Sequence, residues 1–189
     1  TATPLVEPVS LDEAYLDIGA LGMTDITCLA TWLKNKIWAE VGLIVTIGGG
    51  TSKTVAKIAS QVAKPNGLLL VVPGEERIFL GPLDVRMLWG IGPKTQVVLK
   101  RYGIQTIGDL SMHDQKSLES VLGKRSQELT AAALGLDRRV VSPHRETKSI
   151  SVETTFNRDV DDEFILNQEL EILVKKLAER LGRTRLRGT

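Results

Sequence analysis

The chain has 189 residues, of which 42% are hydrophobic and 25% are charged, an ordinary globular composition that argues against disorder. Its apolar runs are too short to span a bilayer and its amino end does not resemble a signal peptide, so we expect no membrane partner and a cytoplasmic location. The net charge of +1 hides an uneven distribution: residues 1–33 have five acids and no base, whereas residues 34–189 have 24 bases and 18 acids. This distribution suits an acidic metal site next to a basic surface that follows the phosphate backbone of a nucleic acid.

The first predicted elements are two short strands within residues 6–18, on either side of an acidic pair, Asp12 and Glu13. Neighbours on a regular strand point to opposite faces, so the two carboxylates need a turn or distortion to face one metal ion. Mg²⁺ takes one or two carboxylates together with waters and substrate phosphates, which makes the pair a candidate Mg²⁺ site. A two-metal site draws carboxylates from more than one segment. We therefore expect a further segment of the parent protein to precede Thr1.

A helix is predicted next, over residues 25–40, because Ile26, Leu29, Leu33 and Ile37 recur at helical spacing. Cys28 lies among them and is predicted to be a core residue. As the single cysteine, it leaves neither a disulfide framework nor a cysteine-rich zinc site. A buried strand is predicted at residues 43–47, ended by three glycines.

Residues 52–63 are predicted to form an amphipathic helix. Val55, Ile58, Ala59 and Val62 would lie on one face, while Lys53, Lys57 and, if the helix reaches it, Lys64 would lie on the other. The lysine stripe is either a solvated face or a phosphate-binding one, and the residues leave both open. A P-loop is excluded, because its pattern requires glycine where the chain has Ile47 and Ser52. A turn at 64–67 and a strand at 68–72 follow.

From residue 83 onward the pattern changes to short helices. After a helix at residues 84–88, Gly90-Ile91-Gly92-Pro93-Lys94 leads into another that closes at Gly103, as in a helix-hairpin-helix. Two glycines let the backbone approach a DNA phosphate, although a plain corner between two helices is the alternative reading. Further helices are predicted near residues 106–110, 114–122 and 126–134.

Residues 137–148 show no periodicity and are predicted to be a basic linker. Alternating polarity at 149–156 predicts a strand, and the apolar spacing predicts a long helix over 161–181. A further basic strand is predicted from residue 183. Since one strand and one helix make a poor domain, we expect the parent protein to continue beyond residue 189.

Taken in order, three motifs resemble those of the Y-family DNA polymerases, most closely the bacterial DinB-like members. Residues 6–17 resemble the family's catalytic palm signature, residues 56–67 its second palm signature, and residues 90–94 its thumb hairpin. One departure is Ser52, which stands where the family usually has asparagine.

The resemblance implies an α+β fold. It divides the chain into a partial palm with a mixed or antiparallel sheet at 1–82, an all-helical thumb with the helix-hairpin-helix at 83–136, the basic linker at 137–147, and the truncated β-α start of a little finger at 148–189.

The resemblance also implies site roles. Asp12 and Glu13 would be catalytic and bind Mg²⁺. Lys64 and, more weakly, Lys57 would contact the incoming nucleotide. The residues implied in DNA binding are Gly90, Gly92, Lys94 and Lys148.

By the same resemblance, the parent is a translesion polymerase that performs Mg²⁺-dependent nucleotidyl transfer. Its expected partners are primer-template DNA, a deoxynucleoside triphosphate and, in the full-length protein, a sliding clamp, all at the bacterial nucleoid. The chain alone is expected to be inactive, because the family's other metal-binding aspartate and its fingers would lie upstream. The alternatives are a non-catalytic DNA-binding module with the helix-hairpin-helix and a nucleotidyl cyclase with a related palm.

Overall fold

The computed structural model describes residues 2–19, 25–144 and 148–184. It is an α+β structure, as predicted, and within those residues it contains short strands, α-helices and two 3-10 turns. In chain order the elements are β1 (Val6–Pro8), β2 (Ala14–Leu16), α1 (Ile26–Val41), β3 (Ile47–Gly49), α2 (Lys53–Val62), β4 (Leu68–Leu70), α3 (Glu76–Leu80), a 3-10 turn (Val85–Met87), α4 (Pro93–Arg101), α5 (Ile107–Met112), α6 (Gln115–Leu122), a second 3-10 turn (Gly123–Arg125), α7 (Ser126–Ala133) and α8 (Glu163–Thr184).

The strands form two small sheets. β1 and β2 pair antiparallel, with Val6 opposite Leu16 and Pro8 opposite Ala14. β3 and β4 pair in parallel, with Ile47 opposite Leu68. The two strands predicted within residues 6–18 are confirmed, and they form an antiparallel hairpin.

The strand predicted at residues 43–47 is wrong, because β3 lies later in the chain and includes Gly48 and Gly49. Leu43 and Ile44 are 62% and 64% exposed, so their apolar character does not reflect burial in a strand. α2 packs directly on Gly48 instead. A Cβ on Gly48 would lie 2.1 Å from the Ser60 nitrogen, so only glycine permits this approach.

Helix α2 occupies nearly the predicted span. Ser52 caps its amino end by accepting a hydrogen bond from the Val55 N–H at 3.3 Å. Its apolar face joins a hydrophobic core that extends through α4–α7. Full burial of a side chain such as Val55 or Ile58 stabilises the fold by about 1.5–3 kcal/mol. That shared core fixes α2 relative to helices α4–α7. Its largest fully buried side chains are Ile58, Leu80, Leu88, Leu99, Ile104, Ile107, Leu110 and Leu118.

Most of the predicted short helices are present. Thr106 and Asp109 form a capping box at the start of α5, and Asp114 caps α6. The helix predicted at residues 84–88 is a 3-10 turn, and α3 was not predicted.

Helix α1 is present, but the burial predicted for Cys28 is wrong. Asp25 caps the helix and Gly42 ends it in the left-handed conformation, with φ of 68°. Cys28 is exposed because it lies roughly 140° around the helix from the stripe of Leu29, Leu33 and Ile37, which is half-buried.

The chain divides into two compact units, residues 1–143 and 144–189. In the second unit, the Arg180 guanidinium donates to the Ser151 carbonyl at 2.7 Å. The strand predicted at 149–156 is wrong, because a strand needs a paired neighbour and the described part of this unit offers none. α8 extends to Thr184, so the strand predicted from residue 183 is wrong at its start, and residues 185–189 lie outside the described ranges. Among the residues that the structure describes, no helix combines the length and the hydrophobicity of a membrane span.

Candidate active site

The acidic pair lies in the loop between β1 and β2, outside the paired residues of the hairpin. The Val9 and Ser10 N–H groups both donate to the Glu13 carbonyl, at 2.8 and 3.3 Å. The predicted turn is therefore present. Asp12 and Glu13 lie outside a regular strand, so the rule that neighbouring side chains point to opposite faces does not apply to them.

Asp12 is exposed and held in its charged form. The Ser10 hydroxyl donates to its Oδ1 at 2.7 Å, and this bond is the main reason that the pKa of Asp12 lies below its usual value. Lys64 and Lys57 lower the same pKa through their charges. The carboxylate is therefore ionised at neutral pH and lies within electrostatic range of both lysines.

Two lysines of α2 pair with two glutamates of the hairpin. Lys57 Nζ lies 2.5 Å from Glu13 Oε1, and Lys53 Nζ lies 2.5 Å from Glu7 Oε2. Lys53 also lies over the Tyr15 ring, 5.3 Å from its centroid. The lysine stripe is thus not a solvated face at these positions, since the Lys53 side chain is only 9% exposed.

Lys64 follows the end of α2 and is exposed, in the turn that leads to β4. The structure therefore brings Lys57 and Lys64 near the loop that holds Asp12 and Glu13. The exposed Asp12 carboxylate and the exposed Lys64 ammonium group, with the Lys57–Glu13 pair beside them, form a surface that can hold a metal-bound phosphate.

The predicted helix-hairpin-helix turn is present between the 3-10 turn at Val85–Met87 and α4. Gly90 has φ of +94°, and Gly92 immediately precedes Pro93, the first residue of α4. The Lys94 side chain is exposed beside this turn. No side chain caps the start of α4 at Gly92, which leaves the first N–H groups of the helix available to a phosphate.

Sequence reasoning missed Arg125, which lies against Gly90 in the helix-hairpin-helix turn. A Cβ on Gly90 would lie 1.9 Å from Arg125 Nη2, so the guanidinium rests directly on the glycine. With Lys94 and Thr95 it borders a cleft of about 260 Å³. No local pattern could have found it, because it lies 35 residues after Gly90 in the chain.

Lys148 lies in the second unit and is exposed. Its contact with DNA stays a prediction. Across residues 2–19, 25–144 and 148–184, no three His, Cys, Asp or Glu side chains group closely enough to hold a metal ion. The Asp12–Glu13 pair therefore stays a candidate metal site with two carboxylates.

Sequence models of one family match three parts of this chain. The impB/mucB/samB family matches residues 1–61, its C-terminal domain matches residues 147–189, and the IMS family HHH motif matches residues 73–104. The chain belongs to the impB/mucB/samB family, the Y-family DNA polymerases.

Relatives of this Y-family chain bear the name DNA polymerase IV. The Dehalococcoides mccartyi protein is 41% identical over 181 residues, covering 95% of this chain and 46% of the relative. The Listeria innocua protein is 38% identical over 188 residues, covering 98% and 53%. The chain thus spans about half the length of these relatives.

Solved structures show the same family likeness. DinB from Sulfolobus solfataricus matches with a TM-score of 0.67 and 31% identity, covering 74% of this chain and 42% of that one. An insertion ternary complex of Dbh DNA polymerase matches with a TM-score of 0.68, 31% identity and the same coverage. These matches confirm the predicted family and the α+β fold class.

Proposed function

We propose that this chain forms part of a DNA-directed DNA polymerase whose nucleotidyl-transfer site is the loop holding Asp12 and Glu13. The observation that carries the proposal is the position of two adjacent carboxylates opposite the lysines of α2 and its following turn. Because the chain spans about half the length of its relatives, we assign the activity to a longer polypeptide that contains it.

The donor set fits Mg²⁺, since Asp12 and Glu13 offer hard oxygen ligands and Asp12 is ionised and exposed. When bound, Mg²⁺ would supply Lewis-acid stabilisation of the charge that develops on the transferred phosphoryl group. Glu13 accepts a hydrogen bond from Lys57, so binding a cation there requires this lysine to move toward another anion.

The lysines would then serve the nucleotide. We assign Lys64 to the triphosphate of an incoming deoxynucleoside triphosphate, because it is exposed and lies within electrostatic range of Asp12. Lys57 would alternate between Glu13 and the same triphosphate. Both roles need only a point charge, which suits lysine.

We assign primer-template DNA to the helix-hairpin-helix. Backbone N–H groups near Gly92 would meet a phosphate, and Lys94 would add a cation. Gly90 permits the turn through its positive φ. Lys148 would contact the DNA backbone from the second unit.

Finer assignments follow from the family. From the resemblance to the DNA polymerase IV proteins, we also propose a lesion-bypass role at the bacterial nucleoid, with a sliding clamp as partner of the full-length protein. We also propose that residues 1–189 alone do not polymerise. Mg²⁺-dependent primer extension by the purified chain would refute this last point.

The test is Asp12→Ala combined with Glu13→Ala in a full-length polymerase that contains this chain. Primer extension should be lost, because both metal ligands are removed. Duplex binding and its steep salt dependence should persist, because the helix-hairpin-helix does not include the two substituted residues. Retained extension would favour a DNA-binding module with a vestigial acidic loop. Loss of nucleotide use together with a shallow salt dependence would favour a cyclase.

A further inference from the structure

Residues 137–142 form a strap that returns from the end of the helical region to the acidic hairpin. Asp137 begins the strap with a side chain that is only 6% exposed. Its Oδ2 accepts hydrogen bonds from the Thr54 N–H at 3.2 Å and from the Thr54 hydroxyl at 2.9 Å. Thr54 is the second residue of α2, so Asp137 satisfies one of the free N–H groups at the start of that helix.

Arg139 closes over Asp137 with a two-point contact. Its Nε lies 2.8 Å from Oδ1 and its Nη2 lies 2.7 Å from Oδ2. The hydrogen bonds from Arg139 are the main reason that the pKa of Asp137 lies well below its usual range. The guanidinium also lies over the Trp89 ring, 5.5 Å from its centroid, just before the Gly90 turn.

The far end of the strap reaches the hairpin itself. The Ser142 N–H donates to Glu7 Oε2 at 2.7 Å, and this oxygen also accepts from Lys53 Nζ. Arg139, Thr54 and Tyr15 of β2 border one small cavity. The strap therefore contacts α2, the acidic hairpin and the residue before the helix-hairpin-helix turn.

These contacts bear on the candidate site through α2. Its first two turns carry Lys53 and Lys57, whose ammonium groups hold Glu7 and Glu13 on the hairpin. A shift of the first turn of α2 would move both ion pairs together. We propose that Asp137 and Arg139 are positioning residues, which fix α2 against the acidic hairpin and so set where Asp12 and Glu13 stand relative to DNA held by the helix-hairpin-helix.

A solvated linker would not produce this pattern. Val140 is 77% exposed and Arg138 is exposed, as expected for a connecting segment. Asp137 is instead nearly buried, and a carboxylate is seldom buried unless it is paired and hydrogen-bonded. Its pairing therefore marks a fixed point in an otherwise exposed segment.

The physical part of the proposal is tested without polymerase activity, by hydrogen exchange on residues 1–189. Asp137→Asn removes the charge that faces Arg139. Amides at the start of α2 and in the loop, Val9 and Ser10 included, should exchange about tenfold faster. Asp161→Asn is the matched control, because it removes an exposed carboxylate in the second unit and should leave those amides unchanged. If these amides exchanged at the same rate in Asp137→Asn and in the unaltered chain, the proposal that the strap holds α2 against the acidic hairpin would be wrong.

The catalytic part rests on the proposed function and is tested by single-turnover incorporation in the full-length polymerase. Thr54→Val, which removes the hydroxyl that Asp137 accepts from, and Arg139→Gln should lower the rate per active site about tenfold with the nucleotide Kd unchanged. Thr54→Ser should retain the normal rate, because it keeps the hydroxyl. Arg77→Gln, which removes an exposed arginine outside the strap, should be neutral.

The outcomes separate the two claims. A smaller active fraction with an unchanged rate per active site would mean that the strap only stabilises the fold, which overturns the positioning role. Absence of incorporation in the unaltered full-length polymerase would refute the proposed function instead, while hydrogen exchange would still decide whether the strap holds α2 and the hairpin.

Discussion

The two glycines of the helix-hairpin-helix should respond differently to alanine, although the sequence motif treats them alike. Gly90 has φ of +94°, whereas Gly92 has φ of −87° with open space where a Cβ would lie. A left-handed backbone costs a non-glycine residue about 1–2 kcal/mol. Gly90→Ala should therefore destabilise the fold by about that amount, and Gly92→Ala, at the N-cap of α4, by about 1 kcal/mol at most.

A second contribution at Gly90 comes from Arg125. The alanine methyl would displace Nη2, which lies 1.9 Å from the Cβ position. Because Nη2 is the end of a flexible side chain, its displacement should cost little folding free energy, but it should move a cation away from the hairpin. We therefore expect Gly90→Ala to weaken duplex binding more than Gly92→Ala does, and to lower the salt slope by about one phosphate contact.

Urea denaturation and fluorescence anisotropy with duplex DNA at several salt concentrations would measure both effects. Arg125→Ala provides the control. In its background, Gly90→Ala should lose its additional effect on the salt slope and keep its backbone cost. Equal destabilisation by the two glycine substitutions, or a steeper salt slope in Gly90→Ala, would refute this reasoning.

Three further outcomes are expected. Gly48→Ala should destabilise by about 3 kcal/mol or more in urea denaturation, because its Cβ would lie 2.1 Å from a backbone nitrogen of α2 that cannot move aside, and a loss below about 1 kcal/mol would contradict that packing. Lys64→Ala in the full-length polymerase should raise the nucleotide Kd in single-turnover incorporation and spare duplex affinity, and the reverse would show that the role is misassigned. The pKa of Asp137 is lower in the folded state than in the unfolded state, so this carboxylate stabilises the fold above the unfolded pKa and loses that effect as pH falls below about 4. In urea denaturation between pH 3 and 7, the free energy of unfolding should therefore depend less on pH in Asp137→Asn than in the unaltered chain. The same pH dependence in both proteins would contradict the pairing.

The sequence predicted the hairpin, α2 and the helix-hairpin-helix because each has a local signal. The alternation around Asp12, the amphipathic period of residues 52–63 and the Gly90–Pro93 spacing all act within a dozen residues. Burial was harder to predict. Cys28 is exposed because membership in a helix does not place a residue on its apolar stripe.

The remaining errors depended on interactions between residues distant in the chain. Gly48 resembled a strand terminator, yet it lies inside β3 because α2 packs on its bare backbone. Arg125 and Asp137 had no local signal, since their contacts with Gly90 and Thr54 span 35 and 83 residues. Chain distance also separates Lys57 from Glu13, so the sequence predicted the stripe but not the pairing.

The central claim is that the loop of Asp12 and Glu13 is the nucleotidyl-transfer site. Its most direct test is single-turnover nucleotide incorporation by a full-length polymerase carrying Asp12→Asn, which keeps the shape of the side chain and removes its charge. Since metal stabilisation of transition-state charge is worth several kcal/mol, the rate should fall roughly a thousandfold, with duplex affinity unchanged within about twofold. Incorporation at the unaltered rate would contradict the assignment.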